Sequence, residues 1–128
     1  VVATDAPLDS RQLRAVALRA ALGMGRVGLT SSVGSGDLIV AFSTTHVFER
    51  TADFTVATPK GPIVEDDDTL DALYTATAEA TQASIYDALF ESKTTTGRRG
   101  ATVYGLPVDR VLKMLQAAGA IPAAGAAP

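Results

Sequence analysis

The sequence predicts an α+β domain whose elements run in the order β-α-β-α-β-α. Three observations predict it. Apolar residues recur at helical spacing in residues 11–22, in residues 69–92 and again from Val108 onward. A near-continuous apolar run, LIVAFS at residues 38–43, has the pattern of a strand covered on both faces. The chain also opens on VVAT, which reads as the end of a strand stopped by the turn Asp5-Ala6-Pro7. Such a start, in mid-strand and without Met, predicts that something precedes Val1.

Each element has its own local reasons. Asp9 or Ser10 can cap the first helix, residues 11–22, with Leu13, Val16, Ala17, Ala20 and Ala21 on one face. Gly23 reads as its C-cap. Residues 49–62 read as a surface excursion, broken by Pro59, Gly61 and Pro62 and tacked down by Phe54 and Val56. The long helix, residues 69–92, has Asp66, Asp67 and Asp68 at its mouth. Its stripe runs through Leu70, Leu73, Tyr74, Thr77, Thr81, Ile85, Ala88 and Leu89. KTTTGRRG reads as a polar turn, ATVYGLP as a short strand, and VDRVLKMLQAAG as a last amphipathic helix. The final residues, 120–128, are low in complexity and read as a disordered tail, leaving 1–119 as the folded part.

Composition bounds the function. A length of 128 residues suits one compact domain. Hydrophobic residues make up 47%, yet aromatics only 5% and Trp is absent, so the core must be built from Ala, Val, Leu and Ile. These bury little area each, which implies that the chain leans on a partner for part of its burial. With 14 acidic against 11 basic residues and no dense Lys/Arg cluster, there is little to neutralise phosphates, and no nucleic-acid partner is expected. The absence of Cys removes disulfides, thiol catalysis and zinc–thiolate sites. No apolar run approaches the ~20 residues of a membrane helix, and no signal peptide is visible. No membrane partner, no cofactor and no metal are expected, and the expected location is cytoplasmic.

The stretch GMGRVGLTSSVGSGD, residues 23–37, holds the candidate chemistry. It contains G-x-G-x-x-G at Gly23, Gly25 and Gly28. A dinucleotide fingerprint needs a strand before the first glycine and a helix after the last. Here the order is reversed, which favours glycines that end a helix and permit tight turns. His46, the single histidine, is open to a structural or a general-base role. The acidic run at residues 65–68 lacks the glycine and alternating ligands of a calcium loop, and suits a helix N-terminus through the dipole alone. Ser35, between Gly34 and Gly36, precedes Asp37 at the entrance to the LIVAFS run. Spacing alone leaves this either a turn before a strand or a catalytic pair sharing one strand face.

Several blocks together carry a resemblance: VVATDAPL, QLRAVALRAALGMGRVG, SGDLIVAFST and ATVYGLPVDRV, in that order. They resemble the β-subunit of the self-cleaving N-terminal-nucleophile aminopeptidases, the L-aminopeptidase/D-esterases and β-peptidyl aminopeptidases. The resemblance covers nearly the whole chain except residues 49–62 and the tail. It implies a four-layer αββα sandwich shared with an α-chain cut from the same precursor, and further assembly of the αβ units. It implies an amide or peptide hydrolase that releases small N-terminal residues through an acyl-enzyme on an N-terminal Ser or Thr. Valine offers no nucleophile, so that residue is expected a few positions upstream of Val1, on the same strand.

Carried over by position, Ser35 matches the family's second serine, which hydrogen-bonds the nucleophile. Asp37 matches an acidic position that polarises this network and is Glu in the β-peptidyl aminopeptidases. The resemblance puts most oxyanion and substrate-amine contacts on the α-chain. Alternatives in the same fold are a biosynthetic amidase such as a pantetheine hydrolase, a non-catalytic partner subunit, and an ornithine acetyltransferase-like protein.

Overall fold

The structure of the chain, a computed structural model, describes residues 1–47, 64 and 66–122. The excursion expected at residues 49–62, Glu65 of the acidic run, and residues 123–128 of the expected tail lie outside the described residues. The chain forms two compact units, Val1–Ile85 and Tyr86–Pro128.

In the first unit, β1 (Val2–Thr4) pairs in parallel with β2 (Ala41–Ser43), in the register Val2↔Ala41, Ala3↔Phe42 and Thr4↔Ser43. Parallel neighbours need a crossover, and α1 (Ser10–Arg26) supplies it. Asp9 caps α1 in a reciprocal box. Its carboxylate accepts from the Gln12 backbone N–H at 2.7 Å, and the Gln12 side-chain oxygen accepts from the Asp9 N–H at 2.9 Å. Gln12 is only 3% exposed, and its amide N–H satisfies the Val64 carbonyl.

The helix does not stop at Gly23 as expected. It continues through Gly23 and Gly25 and ends in a Schellman motif: Gly28, at φ +92°, donates to Gly25 O, and Leu29 donates to Met24 O at 3.2 Å. Gly23 serves packing instead. A Cβ there would collide with the Ala78 carbonyl oxygen and lie 2.8 Å from Thr81 Cβ, on α2 (Asp67–Phe90). Leu8, Val16, Ala20 and Ala78 form the buried apolar centre, with Gln12 and Thr77 also buried. The Arg19 guanidinium stacks over the Tyr74 ring at 4.3 Å, a further tie between α1 and α2. Asp67 and Asp68 occupy the first turn of α2, and the Asp66 carboxylate accepts from the Thr69 N–H at 2.7 Å.

Strand β2 is shorter than residues 38–43, and only one of its faces is covered. Val2, Thr4, Ala41 and Ser43 are half-buried, with Val2 and Thr4 lining a hollow together with Val16, Leu73 and Thr77 of the helices. Ala3 and Phe42 alternate to the other face, where Phe42 is 44% exposed; in the lead-in, Leu38 is 88% exposed. No element among the described residues of this unit lies over that face.

The second unit contains β3 (Thr95–Thr96), β4 (Thr102–Val103) and α3 (Val108–Ala117). The expected polar turn is in fact half strand: Thr95 and Thr96 pair antiparallel with Val103 and Thr102 around a short 3-10 turn at Arg98–Gly100. Gly105 is compelled by space, since a Cβ would lie 2.7 Å from Ser92 O.

Candidate active site

The chain between α1 and β2 carries the expected site residues. A tight turn closes with Ser35 N–H donating to Ser32 O at 2.8 Å, and Gly34 takes φ +93° at its third position. Beyond it Ser35, Gly36 and Asp37 lead, without regular secondary structure, toward β2. The Ser35 hydroxyl donates to Asp37 Oδ2 at 3.3 Å, so serine and carboxylate do meet. Both are solvent-exposed. Gly36 has open space where a Cβ would point, so close approach within this chain does not account for it.

A second hydroxyl, absent from the sequence expectations, joins them: Ser31 Oγ donates to the same Oδ2 at 3.1 Å. The run TSSVGSGD offers four hydroxyls, and nothing in its order marks Ser31. The choice is made by backbone conformation, since Ser31 sits at φ +45°.

Asp37 also lines a cleft of about 320 Å³ with Gly36 and Leu38, the chain's opening residues Val1 and Val2, and Ala20, Met24, Thr81 and Ser84 of the two helices. The parallel pairing explains this convergence, because Val2 N–H donates to Val40 O at 2.8 Å and draws the head of β1 beside the lead-in to β2. The Thr81 and Ser84 hydroxyls are occupied by carbonyls of their own helix, at Thr77 and Thr81 respectively. They therefore line the cleft without a free proton.

The remaining candidates stand apart from this cleft. Gly23, Gly25 and Gly28 sit at the C-terminal end of a helix, where the dipole repels phosphate rather than holding it. His46 follows β2, does not line the cleft, and has its Nε2 buried without a partner among the described residues. The Asp66 carboxyl is held below its ordinary value of 3.8 by hydrogen bonds from the Thr69 backbone N–H and the Thr69 hydroxyl, which is N-terminal capping. Among the described residues no group of three or more His, Cys, Asp or Glu side chains could hold a metal ion, and no helix is long and apolar enough to cross a membrane.

The arrangement is a strand head and a carboxylate at one cleft, the carboxylate holding the Ser35 hydroxyl beside it, with no metal-ligand cluster among the described residues. Comparison with known proteins narrows its class. Residues 1–103 match the model of peptidase family S58, and the chain belongs to that family. It is 39% identical over 120 residues to the beta-peptidyl aminopeptidase BapA of Sphingosinicella xenopeptidilytica, covering 91% of this chain and 29% of that protein. Among solved structures it is similar to a beta-aminopeptidase of Burkholderia sp., at 34% identity and TM-score 0.77, covering 93% of this chain and 35% of the other.

It is similar also to the L-aminopeptidase D-Ala-esterase/amidase of Ochrobactrum anthropi, at 26% identity and TM-score 0.75, covering 90% and 32%. That structure is described as a prototype for the serine aminopeptidases and a new variant among the Ntn hydrolase fold. The α+β fold of this chain is therefore of the Ntn-hydrolase kind. The chain spans about a third or less of the length of each of these relatives.

Proposed function

We propose that this chain is the β-subunit of a self-cleaving aminopeptidase or amidohydrolase, paired with an α-chain from the same precursor in an αββα sandwich. The nucleophile is a Ser or Thr hydroxyl a few residues upstream of Val1. It attacks the carbonyl carbon of a small N-terminal residue's amide, and the C–N bond breaks as the leaving amine takes a proton. Water then hydrolyses the resulting ester and restores the hydroxyl. Ser35 and Asp37 work on that hydroxyl: Asp37 holds the Ser35 proton, leaving the Ser35 oxygen free to accept from the nucleophile.

One observation carries this reading above the others, and it is the register. Counting back from Val2↔Ala41, the third residue before Val1 falls opposite Asp37 if the strand continues. A nucleophile at that position stands opposite Asp37, which supports assigning it to the Ser35–Asp37 pair. The uncovered sheet face supports the second half of the reading, since Phe42, Val40 and Leu38 offer an apolar surface to another layer. Further association of the αβ units belongs to the same proposal.

The test uses the complete precursor. Incubation with β-alanyl and L-alanyl p-nitroanilides, and separately with pantetheine, reads the substrate class. Turnover of either anilide by the cleaved protein is the expected result. Silence on both anilides overturns the aminopeptidase reading, and turnover of pantetheine alone replaces it with a specialised amidase.

A further inference from the structure

We propose that Ser31 is a positioning residue of the hydrolytic site, acting through Asp37; the proposal rests on the hydrolase reading above. Asp37 Oδ2 accepts two hydroxyl protons, from Ser31 at 3.1 Å and from Ser35 at 3.3 Å. A carboxylate tethered by one exposed serine turns about its own side-chain bonds. A second donor from a separate part of the loop fixes the oxygen to which Ser35 must point. Ser35, its proton committed to Asp37, then keeps its lone pairs free to accept.

The backbone makes the same argument independently. Ser31 has φ +45°, a left-handed conformation that is unfavourable for a residue with a Cβ. The same stretch uses glycine at its other two left-handed positions, Gly28 at φ +92° and Gly34 at φ +93°. A loop that needed only the turn would carry glycine at position 31 as well. Serine kept against that cost points to a use for its hydroxyl, and Asp37 is where that hydroxyl is spent.

The two explanations separate by substitution in the complete precursor. Ser31→Gly keeps the backbone conformation and removes the donor. Ser31→Asn tolerates left-handed backbone and returns an N–H donor. With an alanyl p-nitroanilide, Ser31→Gly is expected to lower kcat roughly ten-fold with KM changed less than two-fold, as for loss of one charge-assisted hydrogen bond. Ser31→Asn is expected to recover most of the loss. Self-cleavage, followed by mass, gives a second readout that needs no added substrate, and a cleavage defect in the Gly variant that Asn relieves supports the proposal equally.

Wild-type kcat and cleavage in Ser31→Gly overturn the role of Ser31, as does a defect in Ser31→Gly that Asn does not relieve. Ser35→Ala, run alongside, separates the two levels. If it too turns over and cleaves as wild type, the role of the Ser35–Asp37 pair fails and the Ser31 proposal with it. Silence of the wild-type protein on the anilides is what overturns the hydrolase reading. If Ser35→Ala falls while Ser31→Gly does not, only the Ser31 proposal fails.

Discussion

Gly23→Ala is the sharpest test of the packing, because two elementary effects predict opposite signs. Replacing glycine by alanine inside a helix stabilises by about 1 kcal/mol when nothing obstructs the methyl group. At Gly23 the methyl meets the Ala78 backbone carbonyl and lies 2.8 Å from Thr81 Cβ. The obstructing oxygen is backbone and cannot rotate away, so α1 and α2 must part by something approaching ~1 Å, at the upper end of the ~1–3 kcal/mol that overpacking costs. The net expectation is a loss of about 2 kcal/mol.

Gly25→Ala is the internal control, in the same helix with no atom within 4 Å of its Cβ. It is expected to gain about 0.5–1 kcal/mol. Urea unfolding of the assembled protein, followed by circular dichroism, reads the difference. With a slope near ~2 kcal/mol per molar, the Gly23 variant moves its midpoint down by about 1 M while the Gly25 variant moves up. If both variants rise together, the helices do not cross at Gly23 and the reasoning is refuted.

Ser35→Ala should reduce turnover by roughly ten- to a thousand-fold with the melting temperature unchanged, the range for a positioned proton-transfer partner; steady-state kinetics on the cleaved protein check it. Phe42→Asp puts a charge on the sheet face that the proposed second layer covers, at a cost of several kcal/mol. The expected result is insoluble or uncleaved precursor, whereas normal solubility and melting would mean that face stays in water. Asp66, whose carboxyl is held low in the folded state, contributes stability that is complete above its ordinary value of 3.8 and is lost as pH falls through the depressed folded value. Thermal melts of Asp66→Asn and wild type should therefore converge on acidification in that window, and a constant gap down to the lowest pH would remove the capping role.

Much of this was legible in local sequence, and the rest fails for identifiable reasons. The Asp9 cap, the length of α2 and the acidic start of that helix follow from residues a few positions apart, where spacing carries the physics. Gly23 misleads because its reason is on another helix, at Ala78 and Thr81, and a lone glycine after an apolar run has the signature of a stop. Thr95 and Thr96 form a strand only because Thr102 and Val103 return beside them, which polar residues do not announce.

LIVAFS reads as doubly covered, yet among the described residues of the first unit only one face of β2 is covered, since an apolar run does not tell which element lies over it. At the site, the resemblance singled out Ser35 and Asp37, and they lie within hydrogen-bonding reach. Ser31 went unseen, since its partnership depends on one backbone angle rather than on composition.

The most direct measurement is the intact mass of the smaller chain from purified complete protein, before and after brief incubation with a slowly hydrolysed alanyl ester or amide, with the adduct mapped by fragmentation. The account predicts a chain that begins with Ser or Thr shortly before Val1 and gains one acyl group on that residue's hydroxyl. An active protein left as a single uncut chain, or an adduct carried anywhere else, would contradict it.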